Sequence, residues 1–481
     1  MIWKKTDPGF PPVFFYFSIM QTTENPEPEI LNLVEDPVNV YQFDGRNPIL
    51  EAQLEQYPFV HQTRESEDLE DVMNVLSTVN VGVIRSNTEA KPIEKEMEDK
   101  LQLTPKSLRK TELIYLIRAG VGMDNLDAKA LAEQGILITN TPEATSEAVA
   151  EHSEALIQSL FKKIGLSQIN TVNRKFEKLK TEELFGKKVL IIAAGRIGAS
   201  LGAKLHTKGM KVEFFDPFQP NDAFIPNGPK GIHGTFKPKS EHRDAISILH
   251  EKEELQKALA EADVVSIHAD VKHIIGPNEL QLMADGNNPY IINTARGHSL
   301  DLEGALPLLK KGKLRGLGLD VFPTEKAAFF TSKEGEQIVD MLGTHNLAIT
   351  HHAAGNSVEG QEAVGLETAQ YIAELQAGMI TAVGAKIEKA LLPGKIRLTM
   401  INRNEPGAIA RVTDMLAEAG LNIDAVPVKK HQIFGNGAKV DLNSFDIVGE
   451  GTVLTMSQKV ASLLRETEDS PIVKALIAGT G

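Results

Sequence analysis

The sequence predicts an α/β protein: two doubly wound, parallel-sheet domains followed by a smaller ferredoxin-like module. Three observations carry this reading. Strand-like apolar runs alternate with amphipathic helical stretches through most of the 481 residues, the order that folds into a parallel sheet with helices on both faces. One of these runs ends in a glycine-rich turn that opens a helix. After Pro393 the alternation changes to a β-α-β-β-α-β order.

Taken along the chain, residues 81–84, 113–117, 136–139, 189–193, 212–215, 264–267, 290–293 and 347–350 read as buried strands, with helices such as 146–161 and 197–208 between them. Residues 218–245 break the rhythm with Pro220, Pro226, Pro229 and Pro238 and several Gly and Lys, and read as a long surface loop. The C-terminal module begins near residue 394. Its expected elements are a strand at 395–401, a helix at 406–419 opened by Pro406 and closed by Gly420, strands at 421–429 and 438–448, a helix at 455–465 and a strand at 471–477. Residues 1–37 read as a disordered or irregular extension, with Met20 as an alternative start.

Composition narrows the function classes. With 42% hydrophobic and 24% charged residues the chain is an ordinary globular one. Its net charge of −14 lacks the basic footprint that nucleic-acid binding needs. There is no cysteine, which excludes disulfides, thiolate metal sites and Cys nucleophiles; no metal is expected. The apolar run at 13–20 is far too short to span a membrane, and the polar, Pro/Glu-rich stretch after it lacks the small-residue cleavage site of a secretory signal. A cytoplasmic protein with a small-molecule substrate is the expectation.

The segment from Val189 to Asp216, VLIIAAGRIGASLGAKLHTKGMKVEFFD, runs strand, glycine turn, helix, strand and acidic residue. Such a turn brings backbone N–H groups of Gly195, Arg196, Ile197 and Gly198 to a pyrophosphate at a helix N-terminus. Asp216, eighteen residues after Gly198, can accept hydrogen bonds from ribose hydroxyls and repel the extra phosphate of NADP; no Arg follows it, so NAD is the expected cofactor. The first glycine of G-x-G-x-x-G is replaced by Ala193, which strains the turn by roughly 1 kcal/mol if a left-handed backbone is required there.

Three later segments end strands on the same sheet edge, where open α/β folds bind ligands. IINTARGHSLD supplies Arg296, GLGLDVFPTE supplies Asp320 and Glu325, and LAITHHAAG supplies His351 and His352. A guanidinium can bind a 2-oxo-carboxylate bidentately and polarise its carbonyl. Histidine suits proton transfer near neutral pH, and a carboxylate on the imidazole would fix its tautomer; Glu325 is the candidate, and Asp320 could face the nicotinamide carboxamide. Singly, each has a plainer reading: a strand-to-helix turn without ligand, a surface salt bridge, a core histidine. Their joint order points to hydride transfer.

Together these segments, with VIRSNT at 83–88 and RAGVGMDNLD at 118–127, resemble the D-2-hydroxy-acid dehydrogenase family, and within it the branch acting on 3-phospho-D-glycerate. The resemblance runs from about residue 38 to the C-terminus. It implies Arg296, Glu325 and His352 as catalytic, Gly198, Asp216 and Asp320 as cofactor contacts, Arg85 and Ser86 as holding a phosphate, and the Gly120–Gly122 loop as approaching the substrate carboxylate. It also implies that residues 38–145, completed by 353–393, form a substrate domain closing over a Rossmann-like NAD domain at 146–352. The family's pattern has Pro where His351 stands, and a Val-Pro-like step where Ala269-Asp270 follows His268.

Residues 394–481, with INRNEPG and LNID, resemble an ACT regulatory domain, which implies serine as effector at Asn404 and Asn422 and a homodimer or homotetramer. Asn before a Pro-Gly helix start is also an ordinary turn residue. Two alternatives stay open: a related reductase of glyoxylate, hydroxypyruvate or 2-oxoglutarate, and a non-catalytic amino-acid sensor on the same fold.

Overall fold

The structure is a computed structural model that describes residues 13–19, 38–42, 47–57, 60–62, 79–85, 113–123, 126, 131, 135–218, 246–376, 379–382, 385–387, 395–403, 408–432, 440–450, 452–465 and 472–480, apart from 124 and 125. The chain divides into two compact units, one holding Glu143–Gln361 and the other Trp3–Pro142 with Glu362–Gly481.

The first elements are β1 (Val13–Ile19), β2 (Val38–Gln42), α1 (Pro48–Leu54), β3 (Val60–Gln62), β4 (Val81–Ile84), β5 (Tyr115–Arg118) and β6 (Leu137–Asn140). Strands β2 to β6 form a parallel sheet of order β3-β2-β4-β5-β6. Every residue of β4 and β5 is buried, as expected of near-continuous apolar strands in the middle of a parallel sheet. Helix α1 starts where Asn47 Oδ1 accepts from the Ile49 and Leu50 amides and Pro48 needs no partner.

The second unit runs α2 (Ser146–Lys162), α3 (Ile164–Val172), β7 (Lys188–Ile192), α4 (Arg196–Thr207), β8 (Lys211–Phe215), β9 (Ile246–Leu249), α5 (Lys252–Glu261), β10 (Val264–Ile267), α6 (Pro277–Asp285), β11 (Tyr290–Asn293), α7 (Leu302–Lys310), β12 (Gly316–Leu319), α8 (Lys333–Met341) and β13 (Leu347–Ile349). Its seven parallel strands lie in the order β13-β12-β11-β10-β7-β8-β9. The order reverses between β7 and β10, which marks the crevice at their carboxyl ends as the ligand site of such a sheet. Alternate strand residues feed opposite faces: Leu190, Ile192, Val265, Ile267 and Ile291 pack in one core, and Val189, Ile191, Val264 and Ile292 in a second beneath α2 and α4. Strand β9 and the short β2 and β3 had no place among the expected strands. Of the expected loop at 218–245, residues 219–245 lie outside the described residues.

The opposite, amino edge of this sheet is tied by a polar network. Arg315, just before β12, donates to Glu182 at 3.0 Å and Asp263 at 3.0 Å, Asp263 also accepts from the Lys188 amide at 3.0 Å, and Tyr290 donates to Glu182 at 2.8 Å. Burial, then the Glu182 carboxylate, push the Tyr290 phenol up, so it remains a donor.

The chain continues through α9 (Val358–Gln376), β14 (Ile380–Ala382), β15 (Ala385–Ile387), β16 (Ile396–Arg403), α10 (Ala408–Glu418), β17 (Asn422–Gln432), β18 (Val440–Val448), α11 (Val453–Arg465) and β19 (Ile472–Thr480). Strands β16 to β19 are antiparallel in the order β19-β16-β18-β17, the ferredoxin-like arrangement, with their own core of Ile396, Leu398, Met400, Val412, Leu416, Phe445 and Ile447. The expectation of an irregular residue 1–37 extension needs one correction: Val13–Ile19 is a strand, β1, antiparallel to β19 as a fifth member of this sheet. The run VFFYFSI is rich in aromatic and β-branched residues that favour a strand, and β19 offers it an edge. Among the described residues no helix is long and apolar enough to cross a membrane.

Within this module Arg397 is 1% exposed and meets Asp446 bidentately, at 2.6 and 2.9 Å. A buried pair contributes little net stability, but stranding one member leaves an uncompensated charge. Asp446→Ala should therefore cost about 3–5 kcal/mol in urea denaturation, whereas the double change Arg397→Met with Asp446→Leu should cost far less. Equal losses in the two proteins would contradict this account.

Candidate active site

Every chemistry-bearing segment of the second unit leaves the carboxyl edge of its sheet. The turn after β7 carries Ala193 to Gly198, β8 ends at Asp216, β10 leads to His268 and Asp270, β11 to Arg296, β12 to Asp320 and Glu325, and β13 to His351 and His352.

At the glycine turn, Ala193 has φ 81, the left-handed region that a Cβ disfavours. Gly195 caps α4 without any side-chain bond, and a Cβ there would meet nothing within 4 Å. The first amides of α4 are thus open on that side, as a pyrophosphate requires. Gly198 is the tight position: a Cβ would lie 2.1 Å from the Ala193 carbonyl oxygen, so only glycine lets helix and strand approach. Arg196 is half-exposed and lies 3.6 Å from Glu143, and Ile197 packs on the core below α2. Asp216 is buried; its Oδ2 accepts from the Ala194 amide at 3.0 Å and its Oδ1 from Phe218 at 3.0 Å. Each oxygen keeps a second lone pair with which a ribose hydroxyl could bond.

His352 Nδ1 lies 2.6 Å from Glu325 Oε2, both side chains about one-third exposed (38% and 31%). Of the two adjacent histidines, it is His352 that meets the carboxylate; His351 instead sets its ring edge on Phe330, centroids 5.5 Å apart. An ionised carboxylate only accepts, so Nδ1 carries the proton and Nε2 presents a lone pair. His352 has φ 49 and its amide donates to the Asp320 carbonyl at 2.6 Å.

Asp320 lies just past β12 among donors of its own chain. It has no exposed surface, and its carboxylate accepts from Thr350 Oγ1 at 2.5 Å, Ala353 N at 2.9 Å and Ala354 N at 3.0 Å, so here it holds the turn that bears His352.

Arg296 is held by its own loop: Asn293 Nδ2 donates to the Arg296 carbonyl at 2.8 Å and Asn293 Oδ1 accepts from Ala295 at 3.1 Å. Sequence reasoning missed a carboxylate beside it. Asp270 Oδ2 is 3.9 Å from Arg296 Nε, while Asp270 Oδ1 is 2.8 Å from His298 Nε2. Nearby, His268 is half-buried with its nitrogens toward Ser266 at 2.8 Å and Thr294 at 3.5 Å, and desolvation pushes its pKa down to about 4.

In the other unit, Arg85 follows β4 and Gly120 follows β5. Gly120 has φ 144, and a Cβ on it would strike the Arg118 guanidinium at 1.5 Å. Arg118, which opens RAGVGMDNLD but was not among the expected site residues, pairs in register with Ile84, so two arginines end neighbouring strands. Its signal was there: a charge closing a buried run. Gly122 is partly exposed. Ser86 and Asn404 lie outside the described residues; Asn422 opens β17 and is exposed. Among the described residues no three His, Asp or Glu side chains converge as for a metal.

Residues 155–354 match the family described as D-isomer specific 2-hydroxyacid dehydrogenase, NAD binding domain. That stretch is a D-2-hydroxyacid dehydrogenase NAD-binding domain. The chain is 28% identical over 316 residues to a hydroxypyruvate reductase of Thermotoga maritima, covering 64% of this chain and 89% of that protein. It is 29% identical over 316 residues to a D-3-phosphoglycerate dehydrogenase of Escherichia coli K12, covering 63% and 69%. Among solved structures, the D-lactate dehydrogenase of Aquifex aeolicus complexed with NAD and lactic acid superposes with a TM-score of 0.52 at 22% identity, over 71% of this chain and 96% of that one, a likeness of fold. In this NAD-binding domain the open side of Gly195 and the spare lone pairs of Asp216 are groups that could hold the cofactor's phosphates and ribose.

Two outcomes follow from the geometry of the NAD-binding domain. Ala193→Gly relieves a left-handed Ala worth about 1–2 kcal/mol against the added chain entropy of Gly, about 0.4–1 kcal/mol. It should leave stability unchanged or raise it by up to about 1.6 kcal/mol, whereas Gly198→Ala should lower it; a loss with Ala193→Gly in urea titration would refute the strain. For His268, the unfolded pKa near 6.5 exceeds the folded value of about 4, so below pH 6.5 the unfolded chain binds the proton more readily. Stability is full above pH 6.5 and falls as the pH drops toward 4. Because the ring is only half-buried, the loss should be nearer 2 kcal/mol than the ~3 kcal/mol of the full shift. His268→Gln should remove this part of the slope between urea midpoints at pH 7 and pH 4.5.

Proposed function

We propose that this chain oxidises 3-phospho-D-glycerate to 3-phosphohydroxypyruvate, as a particular case of NAD-dependent 2-hydroxyacid dehydrogenation. The observation that carries the reaction type is the 2.6 Å His352–Glu325 pair, set on the same sheet edge as Arg296. In this reading Arg296 binds the substrate carboxylate with its guanidinium. Glu325 keeps the His352 proton on Nδ1, and Nε2 takes the proton of the C2 hydroxyl; in the reverse direction it returns that proton to the carbonyl oxygen. NAD, when bound, supplies the acceptor for the C2 hydride. Glu325 stabilises the imidazolium that forms, without itself needing the proton.

The phosphorylated substrate is favoured by cations in the other unit. Arg85 and Arg118 end adjacent strands, and a phosphate dianion recruits guanidinium groups for fork-like bonds; Arg85 with Ser86 would hold the phosphate, and the Gly120–Gly122 loop would meet the carboxylate. The ferredoxin-like module supports a regulatory role as an ACT-like domain, with serine at Asn404 and Asn422 and pairing of modules in a homodimer or homotetramer. A second reading, reduction of unphosphorylated hydroxypyruvate or glyoxylate, is supported by the Thermotoga relative.

One experiment separates them. NADH oxidation is followed with phosphohydroxypyruvate, hydroxypyruvate, glyoxylate, pyruvate and 2-oxoglutarate, for the wild type and Arg85→Ala, with and without serine. Arg85→Ala should raise the KM for phosphohydroxypyruvate by about tenfold or more, the worth of a charge-assisted bond, and leave that for glyoxylate within about twofold. Equal effects on both would sink the phosphate assignment, and absence of turnover with every 2-oxo acid would favour a non-catalytic sensor.

A further inference from the structure

The Asp320 clamp does not end at the turn it holds. Thr350 Oγ1, which donates to Asp320 Oδ1 at 2.5 Å, also lies 2.9 Å from His152 Nε2 on α2, and that nitrogen is 3.5 Å from Asp320 Oδ1. A hydroxyl has one proton to give. Thr350 spends it on the carboxylate, so toward His152 it can only accept, and His152 must carry its own proton on Nε2. The result is a directed chain, His152 to Thr350 to the Asp320 carboxylate, which grips the Ala353 and Ala354 amides, while the backbone carbonyl of the same residue accepts from the His352 amide.

That grip bears on the chemistry because His352 sits at φ 49. A non-glycine residue holds this conformation only when its surroundings over-determine it. The same turn must present the imidazole to Glu325 at 2.6 Å. His152 is not among the residues that α2 buries, which are Val149, Ala150, Ser153, Leu156, Ile157, Leu160 and Phe161 with Ser146, and its side chain is 22% exposed. It stands outside the apolar clusters on both faces of the sheet.

We propose that His152 is a positioning residue for His352: acting through Thr350 and Asp320, it locks the left-handed turn that aims the acid–base imidazole. This rests on the reading of His352 as the acid–base group. His152 touches neither substrate nor cofactor in this scheme. Its contribution is to orient the clamp, since a carboxylate bonded on one oxygen to both a hydroxyl and an amide can tilt when the hydroxyl loses its own donor.

The test compares His152→Leu, His152→Gln and His352→Asn in the full chain with NADH and whichever 2-oxo acid the wild type reduces fastest. His152→Leu should lower kcat by about ten- to a hundredfold, the scale of a small misplacement of a catalytic group, with both KM values within about twofold and the thermal midpoint nearly unchanged. The pH at which kcat is half-maximal should be displaced. His152→Gln, whose amide can still donate to Thr350, should recover most of kcat and the wild-type pH profile. Without any ligand, 15N shifts should report a single Nδ1–H tautomer for His352 in the wild type and in His152→Gln, and a mixture in His152→Leu. Wild-type kcat, pH profile and tautomer in His152→Leu would overturn the proposal. So would a loss that Gln fails to recover and that tracks loss of folded protein. His352→Asn should lose about 10²–10⁴-fold; if it does not, the acid–base reading itself fails, whatever His152 does. A wild type that reduces no 2-oxo acid overturns both.

Discussion

The buried carboxylate of Asp320 is the interaction on which the geometry of the candidate site depends. It closes β12 with no exposed surface, and burying a charge is costly unless its oxygens are bonded. Here three donors, Thr350 Oγ1 and the Ala353 and Ala354 amides, all come from the segment that follows β13. The requirement that the charge be satisfied is thereby converted into a fixed path for that segment. The path includes a left-handed His352, and the direction it imposes is what sets the imidazole against Glu325, itself five residues beyond Asp320 in the chain.

The sheet divides its labour between its two edges. At the amino edge, Glu182, Asp263, Tyr290 and Arg315 bind one another and leave little for a ligand. At the carboxyl edge the carboxylates of Asp216 and Asp320 are buried and tie one loop to the next, through the Ala194 amide and through Thr350, Ala353 and Ala354, while His352 and Glu325 stay about one-third exposed. Parallel strands make this separation natural, because every strand leaves the sheet at the same side and each loop there is anchored by a buried strand on both ends.

How much of this was legible in the sequence depends on what the signal was. Strands 81–84, 264–267 and 290–293 begin and end where their apolar runs do, since a fully buried parallel strand is apolar at nearly every residue. Strands β2, β3 and β9 are short or mixed in polarity and leave no such trace, and β1 is strand-like in sequence but belongs to a sheet whose other members lie more than 370 residues away. The glycine turn and Asp216 were legible because their spacing is local. The register of the resemblance alone favours His352 over His351; the physical reason, that its ring reaches Glu325, depends on a backbone reversal that composition does not show. His152 and Asp270 each act through a neighbour distant in sequence, so no motif announces them. Asp320 was legible as important, yet the surroundings of its carboxylate became clear only with the Thr350, Ala353 and Ala354 contacts.

The ends of the Pro-rich stretch after Asp216 meet again at the sheet. Asp216 donates its amide to the Leu249 carbonyl at 3.0 Å, and its own carbonyl lies 2.9 Å from His250 Nδ1. Whatever the chain does between these points, it departs and returns at one place that the core has already fixed. Closing a longer loop between pinned ends costs only about 0.6 kcal/mol per doubling of length. This is therefore a position at which the protein can gain or lose sequence over evolutionary time, or accept an engineered insertion, while the neighbouring glycine turn keeps its register.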